Sequence, residues 1–265
     1  MRDAGSIDGM DSCAQTLAGV DIVITRPSGT ARALARRVRA RGGEPHLLPG
    51  LSLRAMPEAE AGKAWRQAQR DDLLIFTSPA AVRFAQRLAP LDTQARVLAV
   101  GSGTRRALQR AGCMQAESPP RRSQHSEGLL EHPWLQSVRG LRVNLITAPG
   151  GRDLLATALI ERGAQVRITH VYERVRPRLG RRHVQMVQAL DASAWLLVTS
   201  AQALDNLMQV LPEAAVRHLQ ACRIVVSSAR LQQHAREAGF GEPVRAASAS
   251  AGDLLDAVAA HRHPR

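Results

Sequence analysis

Aromatic residues are scarce in this 265-residue chain: three Trp, one Tyr and three Phe, 3% of the total. Single-stranded nucleic acid is held by stacking bases on aromatic rings, so the scarcity argues against that partner despite a formal charge of +13. Lysine is nearly missing too, Lys63 being the single one among 36 Lys+Arg residues. The three cysteines, Cys13, Cys113 and Cys222, are far apart and have no second ligand at metal spacing beside them. A disulfide framework and a local zinc site are both disfavoured. No apolar run approaches the roughly 18 residues of a bilayer span. The first nineteen residues carry Asp3, Asp8 and Asp11 rather than a hydrophobic block, unlike a signal peptide. The expectation is a cytoplasmic, reducing setting with no membrane contact.

What is present is ordinary globular material, 45% hydrophobic and 22% charged, enough for a core. The length suits one large domain or two small ones at roughly 100–200 residues each. The positive charge has two readings: an arginine-coated surface, or an acidic partner such as nucleic acid or a polyanionic small molecule.

The chain repeats itself. IVITRPSG (22–29) aligns with NLITAPGG (144–151) at an offset of 122, and LLIFTSPAAVRFAQRL (73–88) aligns with WLLVTSAQALDNLMQV (195–210) at the same offset. A looser pair, 96–112 with 223–239, stands at an offset near 127. Helices over Thr30–Arg41 and Arg152–Arg162 close on Gly42 and Gly163, each a C-cap in the left-handed region. Short apolar runs alternating with helices of a dozen residues predict two parallel sheets covered by helices. HLLPGLSL (46–53) and VRITHVYERV (166–175) suit exposed connecting strands, while 116–128 and 173–183, rich in Pro, Ser and Arg, read as loops.

Ligands of open parallel sheets bind beyond the carboxyl ends of the strands. Those ends carry Thr25-Arg26-Pro27-Ser28-Gly29, Thr77-Ser78-Pro79, Gly101-Ser102-Gly103-Thr104, Thr147-Ala148-Pro149-Gly150-Gly151, Thr199-Ser200 and Ser227-Ser228. Each precedes a helix and offers unpaired N–H groups with a positive dipole, a ready anion site. Any single Ser or Thr there also reads as a plain N-cap; the recurrence favours binding, with Thr25, Arg26, Ser78, Gly101, Thr104, Gly151, Arg152, Ser200 and Ser228 as candidates. No Gly-Lys-Thr/Ser follows any of these turns and Gly101-x-Gly103 lacks a third glycine, so no cofactor is expected.

Equipment for common hydrolases is missing: no Gly-x-Ser-x-Gly elbow, no His-x-x-x-His pair with a third ligand, no acidic pair placed for hydrolysis. The single tyrosine, Tyr172, sits in the second connecting strand. A phenol keeps its proton at neutral pH and can hand it to a leaving oxygen. The alternative is an aromatic that only packs.

These motifs together resemble the uroporphyrinogen-III synthase family. The matching residues are Thr25-Arg26-Pro27 with Gly42 and Pro49, Phe76-Thr77-Ser78 with Ala81-Val82, and Ala99-Val100-Gly101 with Thr104. They continue through Gly151-Arg152 with Leu154-Leu155, Gly163-Ala164, Val171-Tyr172-Glu173-Arg174 and Thr199-Ser200. Each is short, and their order and spacing from about Val20 to His261 carry the likeness.

The resemblance implies two flavodoxin-like α/β domains joined by a two-stranded ladder. One is discontinuous, 20–50 with 176–263, and the other, 51–175, is inserted in it, with residues 1–19 an N-terminal extension, folded or disordered. It implies a cofactor-free, monomeric, cytoplasmic lyase of porphyrin and haem biosynthesis. Its substrate would be hydroxymethylbilane, a linear tetrapyrrole with eight carboxylates, delivered in transient contact with the enzyme that supplies it. Tyr172 matches the tyrosine that helps the terminal hydroxyl leave, Thr104 and Ser200 match positions tied to activity or binding, and Ser78 matches a cleft turn. Two departures stand out: Ala80 replaces an Asn or Arg, and Val226-Ser227-Ser228-Ala229-Arg230-Leu231 replaces a Gly-Pro turn with a threonine. They motivate the alternative of a non-catalytic two-lobed anion-binding or regulatory protein.

Overall fold

A strand that leaves through a helix comes back in the same direction, so alternating short strands and helices build parallel sheets. The computed structural model describes residues 16–120, 126–150 and 154–262. Its strands are β1 (Asp21–Ile24), β2 (Glu44–Leu47), β3 (Ser52–Ala55), β4 (Leu73–Phe76), β5 (Arg96–Ala99), β6 (Arg142–Thr147), β7 (Gln165–His170), β8 (Tyr172–Val175), β9 (Trp195–Val198), β10 (Arg223–Val226) and β11 (Val244–Arg245). Its helices are α1 (Ser28–Ala40), α2 (Glu58–Ala68), α3 (Pro79–Leu88), α4 (Ser102–Arg110), α5 (Ser126–Leu130), α6 (Pro133–Gln136), α7 (Leu154–Glu161), α8 (Arg181–Gln188), α9 (Ala201–Val210), α10 (Glu213–Ala221), α11 (Ala229–Glu237) and α12 (Ala251–His261).

The chain divides into two compact units, Met1–Ser52 with Arg176–Arg265, and Leu53–Val175. The first holds a five-stranded sheet in the order β11-β10-β9-β1-β2, the second a four-stranded sheet in the order β5-β4-β6-β7. Pairing within both is parallel. β3 pairs with β8 in a separate two-stranded sheet where the chain passes from one unit to the other. The protein is thus an α/β fold of two parallel-sheet subdomains linked by strands.

Each sheet is buried on both faces, which period-2 alternation along the strands achieves. In the first unit Val23, Leu196, Val198, Ile224 and Val226 face one core, while Ile22, Ile24, Leu197 and Val225 face the other. In the second, Leu74, Phe76, Val97, Ala99 and Ile146 face one core, and Leu73, Ile75, Leu98, Val143 and Leu145 the other.

The duplication survives as matched registers. Leu73 pairs with Arg96 as Trp195 pairs with Arg223, at offsets of 122 and 127. An isolated bridge of Leu98 to Glu117 stands where Val225 meets Val244 in β11. The first repeat is displaced by one residue, however. Trp195 pairs with Ile22 but Leu73 with Val143, and Ile22 shares its core face with Trp195 as Val143 does with Leu73. β1 therefore superposes on β6 at an offset of 121, not 122: sheet facing outweighs the identity of Thr25 with Thr147. Gly42 and Gly163 fit that offset. Their φ angles are +82° and +83°, and the following residues close the helices by bonds from Gly43 to Val38 and from Ala164 to Leu159.

The connecting stretches differ from expectation. Both break in two: β2 and β7 become edge strands of the main sheets, and only β3 and β8 form the ladder. Pro49-Gly50 makes the first break, Val171 the second. Likewise α1 starts at Ser28, before Thr30, and the loop expected at 173–183 shrinks to 176–180 because β8 and α8 take the rest. The loop expected at 116–128 gives up Glu117 to the bridge and its end to α5. Of the N-terminal extension, Leu17 is fully buried and donates its N–H to the Arg41 carbonyl at 2.6 Å.

Gly50 is pressed against α9. A Cβ there would lie 2.4 Å from the Ala203 carbonyl oxygen, while the Gly50 carbonyl accepts from buried Asn206 at 2.9 Å. Because a backbone atom must move to admit a methyl group, Gly50→Ala should lower unfolding free energy by about 1–3 kcal/mol. Urea unfolding followed by far-ultraviolet dichroism checks this, and an unchanged midpoint would show that α9 yields freely. Cys113 and Cys222 are buried, and burial, with smaller contributions from Asp191 and Asp21, pushes the Cys222 thiol up to about 11. Burial raises the Cys113 thiol as well. Thiolate is the reactive form, so native alkylation at pH 8 mapped by mass spectrometry should leave both unmodified, and both should react in urea.

Candidate functional site

In the second unit, β4, β5 and β6 lie side by side, and the residues at which they give way to the following turns, Thr77-Ser78, Gly101 and Thr147, are small or hydroxylic. Each chain must turn at once into a helix, and the first N–H groups of that helix need acceptors. Ser78 supplies one: its Oγ accepts from the Ala81 N–H at 3.1 Å as the N-cap of α3, with Pro79 in the first turn. No acidic side chain occupies that turn. Beside it, the Thr77 hydroxyl donates to Thr147 Oγ1 at 2.9 Å, tying the ends of β4 and β6.

Tyr172 reaches the same place from β8. Its ring is 2% exposed and stacks on Phe84 of α3, with centroids 5.3 Å apart and planes 12° from parallel. Arg83 and Arg87 place their guanidinium carbons 5.2 and 5.4 Å from the Phe84 centroid. The Tyr172 hydroxyl lies 3.1 Å from Ser78 Oγ. Packing and polar roles therefore coexist: the ring is core and the oxygen meets a helix N-terminus. Gly101 starts α4 without a side-chain cap, and Thr104, buried, donates its N–H to the Gly101 carbonyl. A Cβ on Gly103 would stand 3.7 Å from Pro79, which places the α4 turn against that of α3. The structure thus gathers Ser78, Tyr172, Gly101 and Thr104. Gly151 and Arg152 lie outside the described residues.

In the first unit, Thr25 is buried and its hydroxyl donates to the Leu197 carbonyl at 2.8 Å, binding β1 to β9. Ser200 and Ser228 cap α9 and α11, accepting from Ala203 at 3.4 Å and Leu231 at 3.3 Å. Arg26 is half-buried and donates to the Ala249 carbonyl. Among the described residues no carboxylate pairs with it, and burial holds its guanidinium below the usual arginine range. Its guanidinium is thus partly desolvated and bonded to a neutral carbonyl oxygen.

Sequence reading passed over Phe84, which looked like any apolar helix position; the stacking partner of the single tyrosine is set by the β3–β8 ladder and not by local pattern. Ala80 is buried in α3 and Ala229 is the first residue of α11, so neither departure removes a backbone donor from a helix start.

Known proteins share this fold. The family model described as uroporphyrinogen-III synthase HemD matches residues 32–256. Uroporphyrinogen-III synthase of Salmonella typhimurium is 31% identical over 246 residues, covering 90% of this chain and 100% of that protein. The crystal structure of uroporphyrinogen-III synthetase from Helicobacter pylori superposes with a TM-score of 0.61 at 14% identity, over 92% of this chain and 100% of that one. A mutant uroporphyrinogen III synthase from Thermus thermophilus gives 0.55 at 22% identity, over 89% and 96%. The two structures attest the fold, while the extent of the family match and the Salmonella identity attest the lineage: the chain belongs to the uroporphyrinogen-III synthase family of tetrapyrrole biosynthesis.

Proposed function

We propose that this chain cyclises hydroxymethylbilane to uroporphyrinogen III, inverting the last pyrrole ring through a spiro intermediate. The observation that carries the reading is the Tyr172 hydroxyl held at the N-terminus of α3, 3.1 Å from Ser78. The Tyr172 proton passes to the terminal hydroxyl of the substrate, the C–O bond breaks, and water leaves as a pyrrole nitrogen lone pair forms the azafulvenium cation, with the phenolate as its counter-charge. The substituted carbon of the last ring attacks the cation, giving the spiro intermediate. Fragmentation and reclosure then invert that ring, and the ring proton lost at closure restores the phenol. Substrate minus water equals product, so no cofactor is required.

Positioning and fixed dipoles supply most of the assistance. In the second unit backbone N–H groups at the starts of α3 and α4 suit carboxylates; in the first, those at the starts of α9 and α11 do, and Arg26 adds a charged donor there. Thr25 contributes through the turn it braces, because its hydroxyl hydrogen is spent on Leu197, whereas Ser200 and Ser228 each use one Oγ lone pair as a cap and keep the hydroxyl hydrogen. Gly151 and Arg152 are further binding residues on the strength of the family likeness. The order β2-β1-β9-β10-β11, which is 2-1-3-4-5 within its unit, supports a flavodoxin-like class. We read 51–175 as a domain inserted between 20–50 and 176–263, in a monomeric, cytoplasmic enzyme supplied by direct encounter with the preceding one.

Purified protein added to enzymatically generated hydroxymethylbilane should yield the type III isomer. Exclusive type I product, the uncatalysed outcome, would leave a non-catalytic anion-binding protein. Tyr172→Phe should cut kcat at least a hundredfold with Tm nearly unchanged, since general-acid assistance is worth about 10²–10⁴; unchanged turnover would reduce Tyr172 to packing. Arg26→Leu should raise KM roughly tenfold or more, the worth of one charged hydrogen bond, with a smaller effect on kcat. An unaltered KM would remove Arg26 from the site.

A further inference from the structure

Two hydroxyls in contact leave open which one donates, and for Tyr172 the answer decides whether its proton is available at all. If the phenol donates to Ser78, its proton points into the protein. If Ser78 donates to the phenol oxygen, the phenol proton must point elsewhere.

The surroundings select the second arrangement. Ser78 Oγ has one hydrogen and two lone pairs. One lone pair takes the Ala81 N–H at 3.1 Å. That donor belongs to the first turn of α3, where the aligned peptide dipoles are positive and no acidic side chain offsets them. An oxygen polarised by such a donor is a better donor and a poorer acceptor in its next bond. The Tyr172 ring cannot pivot to offer another edge, because it is buried and stacked on Phe84. Its hydroxyl hydrogen has two favoured in-plane positions, and a bond from Ser78 occupies the side of one of them.

We propose that Ser78 is a positioning residue of the reaction, its hydroxyl donating to Tyr172 Oη so that the phenol proton is aimed at the departing hydroxyl of the substrate. The inference rests on reading Tyr172 as the proton donor of the cyclase. The chain runs from the Ala81 N–H to Ser78 Oγ, from the Ser78 O–H to Tyr172 Oη, and from the Tyr172 O–H to the leaving oxygen. As the C–O bond breaks and the proton moves to the water being formed, negative charge gathers on Tyr172 Oη. The bond from Ser78 then becomes charge-assisted and shortens, so it is stronger in the transition state than before it. Proton return at ring closure restores the neutral pair.

Three variants separate this role from capping and from substrate contact. Glycine is tolerated at an N-cap at a loss of only a few tenths of a kcal/mol, so Ser78→Gly removes the donor while nearly preserving the helix. Ser78→Thr keeps both cap and donor. Ser78→Gly should lower kcat about tenfold, the worth of one ordinary hydrogen bond, with KM within twofold, and Ser78→Thr should restore kcat to within about threefold. In a Tyr172→Phe background, Ser78→Gly should have no further effect on kcat, because residues acting as a unit are not additive. A raised KM with kcat intact would make Ser78 a substrate contact instead, and equal kcat in wild type and Ser78→Gly would leave it a cap. Both results overturn the proposal, as does an additive double variant.

A readout that needs no turnover accompanies these. Tyr172 is the single tyrosine, so protein labelled with 13Cζ-tyrosine gives one Cζ resonance. It should shift in Ser78→Gly and return to near the wild-type position in Ser78→Thr. An unmoved resonance would show that no such bond forms, whether or not the wild type makes the type III isomer. Type I product from the wild type alongside a moving resonance would fault the cyclase reading and not the hydrogen bond.

Discussion

Parallel pairing is the constraint from which the rest of this structure follows. Strands that run the same way must each leave through a crossover, and the carboxyl ends of neighbours collect along one edge of the sheet. Apart from the edge strands β2 and β7, which run on into the ladder, those ends open into helices whose first N–H groups have no intrahelical acceptor. Ser78, Ser200, Ser228 and Ser250 meet that need with their own oxygens. Gly101 and Pro27 start their helices without doing so. The same geometry that stabilises the fold therefore lines an edge of each sheet with donors, the property on which the proposed binding of an anionic substrate rests.

The two units obey this constraint alike but differ in what they built on it. Counting by the offsets that the registers establish, Ser78 corresponds to Ser200 and Phe84 to Asn206, while Tyr172 corresponds to Leu51. Where the second unit sets a phenol on a phenyl ring, the first has Leu51 buried and Asn206 holding the Gly50 carbonyl. Gly50 approaches α9 too closely to admit even a methyl group. A duplicated scaffold thus carries the hydroxyl chemistry in one copy only, and the other copy carries Arg26, a half-buried cation at the end of β1.

Much of this was legible in the amino-acid sequence because helix starts, glycine C-caps and apolar strand runs are local signals. Gly42 and Gly163 stand in the left-handed region as their positions after the helices imply. What local pattern misjudged was register. Matching Thr25 with Thr147 maximises identity, yet one residue of slip exchanges the two faces of a strand, and burial on both sides decides the matter. Long-range partners were equally out of reach. That Thr25 spends its hydroxyl on Leu197, or that buried Asp71 is held by Asn144 and Arg167, depends on pairings across 172, 73 and 96 residues. The breaks that divide 46–53 and 166–175 between edge strand and ladder also answer to the sheets on either side and not to their own alternation.

Capping and ligand binding looked like competing explanations for the strand-end serines, and the chemistry of a hydroxyl removes the competition. A cap uses one lone pair of Oγ and leaves the hydrogen unspent. Where nothing suitable lies opposite, the serine is a cap and no more. At Ser78 the oxygen lies 3.1 Å from Tyr172 Oη, and with Ser78 as the donor we propose, the stabilising bond to Ala81 strengthens the next bond rather than excluding it. The positive charge of the chain fits the same logic. With 36 Lys+Arg against 23 Asp+Glu the surface field favours any polyanion, but a field spread over so many arginines cannot choose one. Choice comes from groups that are desolvated and fixed, which is why the proposed binding rests on Arg26 in the first unit and on the helix starts of each unit rather than on the excess of charge.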